Sequence, residues 1–311
     1  MAASPNDPML SRKRLRRRWW LFLAMVPASF GLVCWWLTEP LEDLPSGLAS
    51  DEPIQAPSAP DLKPIASPGV LWPSMRLEGA QAKKVVLDAL LVATNRLSRL
   101  PSYTATLRKQ ERIKGKLGPV QTLSMKVRNH PFALYFKFLS PQAGKEVVYA
   151  EGHHDNKLIA HSGGVARLLV PRLAVAPDHP LALADSRHPV TEAGLVNLVE
   201  RLLKFRRLDL TDNDAETVLD RVTDSSGYEW LRSIHLHSIP NVSRPFARIE
   251  VLYEPDTFFP MQIRNFDWPE QGHASELLLA EEYIYENVDF ACQLSALDFD
   301  PANPNYAFHR F

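Results

Sequence analysis

His153, His154, Asp155 and His161 lie within nine residues of one another and form the densest group of metal-ligating side chains in the chain. Imidazole nitrogens with one carboxylate suit zinc. The first three, however, fall on a polar run that reads as an exposed turn, where such residues occur without a metal. No metal is assigned. His235 and His237 are two apart in an alternating run and share one face of a strand. That face is read as solvated, alternating with Trp230, Ile234 and Leu236. No Gly-x-Ser-x-Gly, His-Glu-x-x-His or phosphate-loop pattern occurs, so no catalytic residue and no cofactor is assigned. An unrecognised hydrolase would have only these histidines to work with.

The remaining chemistry is that of binding. Leu107, Met125, Phe132, Leu134, Phe136 and Phe138 occupy alternate positions in three successive runs. Such a stripe is either plain core or the wall of an apolar ligand site, and periodicity alone does not separate the two. Glu111 and Arg128 fall on neighbouring predicted strands, where they could face each other as a cross-strand pair. With Tyr135 they would form a polar rim able to hold a headgroup. The plainer reading is a partly exposed ion pair worth about 1 kcal/mol or less.

These residues need elements to position them. Val85, Val86, Ala89, Leu90, Ala93 and Leu97 recur at helical spacing within 77–99, and Pro101 stops the run. The period then drops to two. Tyr103, Ala105 and Leu107 alternate with Thr104, Thr106 and Arg108, and Leu123, Met125 and Val127 with Ser124, Lys126 and Arg128. Phe132 to Phe138 makes a third run, with shorter strands expected near 145–150 and 157–161. Residues 163–189 carry prolines at 171, 177, 180 and 189 and read as a long crossing loop. Thr191 is placed as the cap of a second helix through Leu195, Leu198, Val199 and Leu202. Strand patterns resume through Ala247–Tyr253, Met261–Ile263 and Leu277–Tyr285.

Closely spaced strands with short turns pair antiparallel. About ten of them make a sheet too long to stay flat, and two helices must cover its apolar face. The expected fold is α+β, a curled antiparallel half-barrel with two main helices on its concave side.

The amino-terminal quarter is different. Residues 1–18 hold Arg12, Lys13, Arg14, Arg16, Arg17 and Arg18, whereas residues 19–37 carry no charge. At about 1.5 Å per residue that apolar stretch spans roughly 28 Å, close to the hydrocarbon thickness of a bilayer. Trp19–Trp20 and Trp35–Trp36 mark its ends, and the basic block places the leading side in the cytoplasm. A cleavage site would need small residues where Cys34-Trp35-Trp36-Leu37 stands, and lipidation of Cys34 a smaller residue than Val33. An uncleaved signal anchor is the reading taken. Eight prolines between Pro40 and Pro73 make 38–75 an extended linker. Residues 76–311 then form one extracytoplasmic domain, on a single-pass protein of the cell inner membrane.

The whole chain carries a formal net charge of −1, which argues against a nucleic-acid-binding surface. Its two cysteines, Cys34 and Cys292, cannot bridge within the domain.

The stretch Tyr103-Thr-Ala-Thr-Leu-Arg-Lys-Gln-Glu-Arg-Ile113 resembles the opening of a bacterial envelope family of unknown function, DUF1571. So do Lys126–Phe132, Pro141–Tyr149, Arg187–Leu195 and Asp298–Tyr306. More distantly, the layout is similar to the lipoprotein carriers of the LolA, LolB and RseB type, whose unclosed barrels hold acyl chains. Tyr253-Glu-Pro-Asp-Thr-Phe-Phe-Pro260 is like their recurrent hairpin. The carrier likeness implies a cavity for a lipid or an acylated protein, and DUF1571 has no assigned activity. The competing expectation is an envelope structural or signalling module, without a cavity, that meets an unnamed protein partner through a sheet edge or the 163–189 loop.

Overall fold

The computed structural model describes residues 72–164, 172–240, 244–268 and 277–309. The basic tail, the apolar span and nearly all of the proline-rich linker lie outside them. Among the described residues no helix is long and apolar enough to cross a membrane.

The chain enters at a short strand, β1 (Leu77–Glu78), and turns at once into helix α1 (Gly79–Leu97). Strands β2 (Ser102–Ile113), β3 (Lys116–Leu117), β4 (Gln121–Arg128), β5 (Ala133–Ser140), β6 (Glu146–Ala150), β7 (Leu158–His161) and β8 (Leu173–Val175) follow. Helix α2 (Leu195–Asp209) then leads into β9 (Ala215–Thr223), β10 (Glu229–His237), β11 (Arg248–Tyr253), β12 (Pro260–Phe266) and β13 (Leu279–Asp289). The thirteen strands of the described residues join one open antiparallel sheet in the order β1-β9-β10-β11-β12-β13-β2-β4-β5-β6-β7-β8, with β3 beside β2. The expected count of about ten is exceeded by short pieces such as β1, β3 and β8, which carry too few residues to show a period.

Two meanders, β9–β13 and β2–β8, meet where β13 pairs with β2. This seam joins chain segments about 170 residues apart and sets Glu281 opposite Glu111, Tyr283 opposite Lys109 and Tyr285 opposite Leu107. Both helices lie on the concave side. Ala82, Val86, Ala89, Leu90, Ala93 and Leu97 of α1 are buried, as are Leu195, Leu198, Val199, Leu202 and Leu203 of α2. Helix α1 packs on β1, β9 and α2, and α2 on α1 and β12. Trp72 already belongs to this core: its ring lies 5.5 Å from that of Tyr253 and its Nε1 donates to the Asp220 carbonyl at 3.1 Å.

Thr191 does not cap α2 as expected. It lies in a separate 3-10 turn (Val190–Glu192), and the helix starts from Gly194, whose φ of 99° only glycine adopts readily. The Tyr103 hydroxyl takes the role of cap, accepting the Leu195 N–H at 2.8 Å. A Cβ at Gly194 would come within 3.0 Å of that hydroxyl.

The convex face has its own cover. Phe299, Tyr306 and Phe308 of the carboxy-terminal segment pack on Ala133, Tyr135, Val148, Ala150 and Ile159. Lys126 fastens the segment, donating to Asp298 at 2.6 Å and to the Tyr306 hydroxyl at 3.2 Å. Strand β6 and the first half of β5, Ala133–Phe136, are therefore buried on both faces.

Candidate functional site

The helices cover the β9–β12 half of the trough. Over β4–β8 the concave wall is roofed instead by the loop that runs from residue 176 to Ala193. Beneath that roof lies a cavity of about 180 Å³. Its floor is built from alternate residues: Leu107 of β2, Leu123 of β4, Phe136 and Phe138 of β5, Val147 of β6, Leu158 and Ala160 of β7. Ala182, Pro189, Val190 and Ala193 close it from the loop, and Leu198 from α2. A dry cavity of about 150 Å³ accepts a benzene-sized ligand. This space therefore suits a short length of one hydrocarbon chain and not a whole diacyl lipid.

Charged groups gather where loop and seam meet. Glu111 accepts from the Tyr283 hydroxyl at 2.5 Å, from Lys109 Nζ at 3.1 Å and from the Arg187 N–H at 3.3 Å. Its neighbour Glu281, only 1% exposed, is held by Arg187 Nε at 2.9 Å, His188 Nε2 at 2.8 Å and Asn265 Nδ2 at 2.7 Å. Burial alone would raise the Glu281 pKa. The hydrogen bonds from His188 and Asn265 and the nearby charge of Arg201 outweigh it, so the carboxyl titrates below its ordinary range. Burial, with the two carboxylates beside it, pushes the Tyr283 phenol well above its ordinary value. Ser186 Oγ accepts from Lys109 and donates to the His188 carbonyl. Two buried carboxylates thus clamp Arg187 and His188 to the sheet, and Lys109 holds Ser186.

The stripe singled out in sequence divides among three places. Leu107, Phe136 and Phe138 line the cavity. Met125 and Leu134 lie in the main core without reaching it. Phe132 borders a different hollow at the start of α2, with Tyr149 and Gly194. Of the proposed rim, Glu111 does line the cavity, but its pairing with Arg128 is wrong. Register sets Arg128 opposite Ser102, nine residues up β2 from Glu111 and hence roughly 30 Å away. Arg128 instead donates to the Pro131 carbonyl at 2.9 Å and lies over the Phe299 ring. Tyr135 also leaves the rim, because its odd position in β5 turns it to the convex face, where it stacks on Tyr306 at 4.0 Å. Lys145, His188, Arg201, Tyr283 and Tyr285 line the cavity without having been anticipated. Alternation with Tyr283 marks Tyr285 as sharing its face, but only the seam brings both to Leu107.

The histidines fall apart as a set. His153 and His154 stay on the turn, while His161 is buried on the convex side, 3.1 Å from Glu146 Oε2 and edge-on to Phe308. The solvated reading of His235 and His237 is overturned. Both point inward with Leu231 and Ser233, whereas Trp230, Ile234 and Leu236 are half-buried on the other face. His237 Nε2 lies 3.2 Å from Asp209 Oδ1, and His235 reaches Ser233 and Thr217 at 2.9 and 3.1 Å. Burial, then Arg206, pushes the His235 pKa well below its ordinary value, so this ring is neutral. The inner face can be polar here because the end of α2 brings Arg206 and Asp209 down onto it.

Residues 100–308 match the family described as protein of unknown function, DUF1571. The chain belongs to this family. The matched DUF1571 segment begins just before β2 and ends in the carboxy-terminal cover, so it takes in both meanders and the loop over the cavity. No curated protein matches the chain in sequence. Among solved structures it is similar to a DUF1329 family protein from Desulfovibrio piger, at 9% identity and a TM-score of 0.35, over 70% of this chain and 97% of that one. It is also similar to the lipoprotein LppX of Mycobacterium tuberculosis, at 13% identity and a TM-score of 0.33, over 65% and 94%. A LolA superfamily protein from Nitrosomonas europaea aligns at 9% identity and a TM-score of 0.28, over 69% and 97%.

Proposed function

We propose that this DUF1571 protein binds an apolar ligand, a lipid or the acyl part of an acylated protein, within its half-barrel. The cavity of about 180 Å³ carries the proposal, because its floor is apolar and no helix fills it. Its size selects a single chain. The polar groups at its mouth are engaged with one another, which favours binding over turnover. The basic block and the uncharged stretch 19–37 support an anchored protein with this domain outside the cytoplasm, in a cell-envelope role. The 163–189 loop, considered in sequence as a docking surface for a protein, supports the ligand reading better because Ala182 and Pro189 turn into the hollow.

Native mass spectrometry of the full-length protein is expected to show co-purified single-chain species. An Ala160→Phe variant, which fills the hollow, is expected to lose them together with affinity for a fluorescent fatty acid. A wild-type protein that is ligand-free and indifferent to the fatty acid removes the proposal.

A further inference from the structure

A second hollow, of about 200 Å³, lies between α2 and the β11–β13 part of the sheet. Six apolar side chains, among them Leu202, Phe246 and Ile249, form half of its lining. Arg187, Arg201 and Arg206 all line it, against the single carboxylate of Glu281. That carboxylate is already saturated, with one oxygen on Arg187 and His188 and the other on Asn265. Arg206 is 1% exposed and its Nε pairs with Asp209 Oδ2 at 3.1 Å, while Nη1 and Nη2 have no hydrogen-bond acceptor among the described residues. Buried charged donors without acceptors are costly, and their persistence asks what completes them. Arg201 makes a long ion pair to Glu192, at 3.8 Å on the side of the roofed cavity, and its charge also acts on Glu281 and on the Tyr283 and Tyr285 phenols.

His188 and Arg201 line both hollows and form the wall they share, where His188 is hydrogen-bonded to Glu281. One side of this wall is apolar and sized for a short chain. The other adds three arginines to its apolar lining, and their forked donors match carboxylate and phosphate oxygens.

We infer that the second hollow receives the anionic head, a carboxylate or a phosphate, of a single-chain amphiphile whose tail lies in the roofed cavity. This rests on the proposed function and narrows it to one ligand class.

Calorimetric titration of the full-length protein with octanoate, octyl phosphate, 1-octanol and inorganic phosphate tests it. Both anionic octyl probes are expected to bind at least tenfold more tightly than 1-octanol, and inorganic phosphate at least tenfold more weakly than octyl phosphate. Arg201→Gln, at a side chain 27% exposed, is expected to bring the anionic probes down towards the 1-octanol level while Arg201→Lys keeps part of the preference. Should R201Q fail to fold, the wild-type comparison decides alone. Equal binding of octanoate and 1-octanol, or phosphate binding as tightly as octyl phosphate, overturns the inference and leaves the apolar cavity standing. Failure of all three octyl probes overturns the proposed function with it.

Discussion

Glu281 shows how one side chain ties the loop to the sheet. Its pKa is depressed, so the stability it contributes is present above the unfolded value of about 4.3 and is lost as pH falls through the lower folded value. The wild-type melting temperature is therefore expected to drop steeply below about pH 4. In Glu281→Gln it should start lower at neutral pH and change less on acidification. Parallel curves from pH 7 to 3 would show that the clamp carries no linked proton. Glu111 was visible in sequence as an acidic residue set in an alternating run. Its true partners, Tyr283, Lys109 and the Arg187 backbone, were not, because two of the three come from segments more than seventy residues away.

At the scale of elements, α2 depends on a contact that helix periodicity does not record. Its first N–H is capped by the Tyr103 hydroxyl from β2, through a buried bond of 2.8 Å. Tyr103→Phe leaves that donor without an acceptor and is expected to cost about 1–2 kcal/mol in denaturant unfolding. A loss under about 0.3 kcal/mol would mean that the backbone finds another acceptor. The apolar stripes of both helices were legible because burial on one face leaves a 3.6-residue period. The start of α2 was not. Thr191 has the chemistry of a cap, but the turn at Val190–Glu192 interrupts the chain, and Gly194 reopens it at positive φ.

Over the whole molecule, the unequal cover of the trough is the decisive feature. Two helices serve the β9–β12 half, a proline-bearing loop serves β4–β8, and the carboxy-terminal segment shields the back of β5 and β6. The open space follows from that division. The proposed anchoring belongs to this scale too. A reporter joined after Phe311 is expected to be active only outside the cytoplasm, whereas activity inside would overturn the positive-inside argument built on Arg12 to Arg18.

Composition and period by themselves determined the α+β class, an antiparallel sheet of many short strands and two covering helices, while particular stretches such as Tyr103–Ile113 carried the resemblance to DUF1571. These are local properties: alternation, helical spacing and turn residues leave their mark within ten or twenty positions. Tertiary structure alone decided that Glu111 faces Glu281 and not Arg128, that Tyr135 lies behind the sheet, and that His235 and His237 point inward. A two-residue period says that a strand has two unlike faces. It does not say what covers either one, and whether a hollow remains depends on volumes contributed by distant parts of the chain.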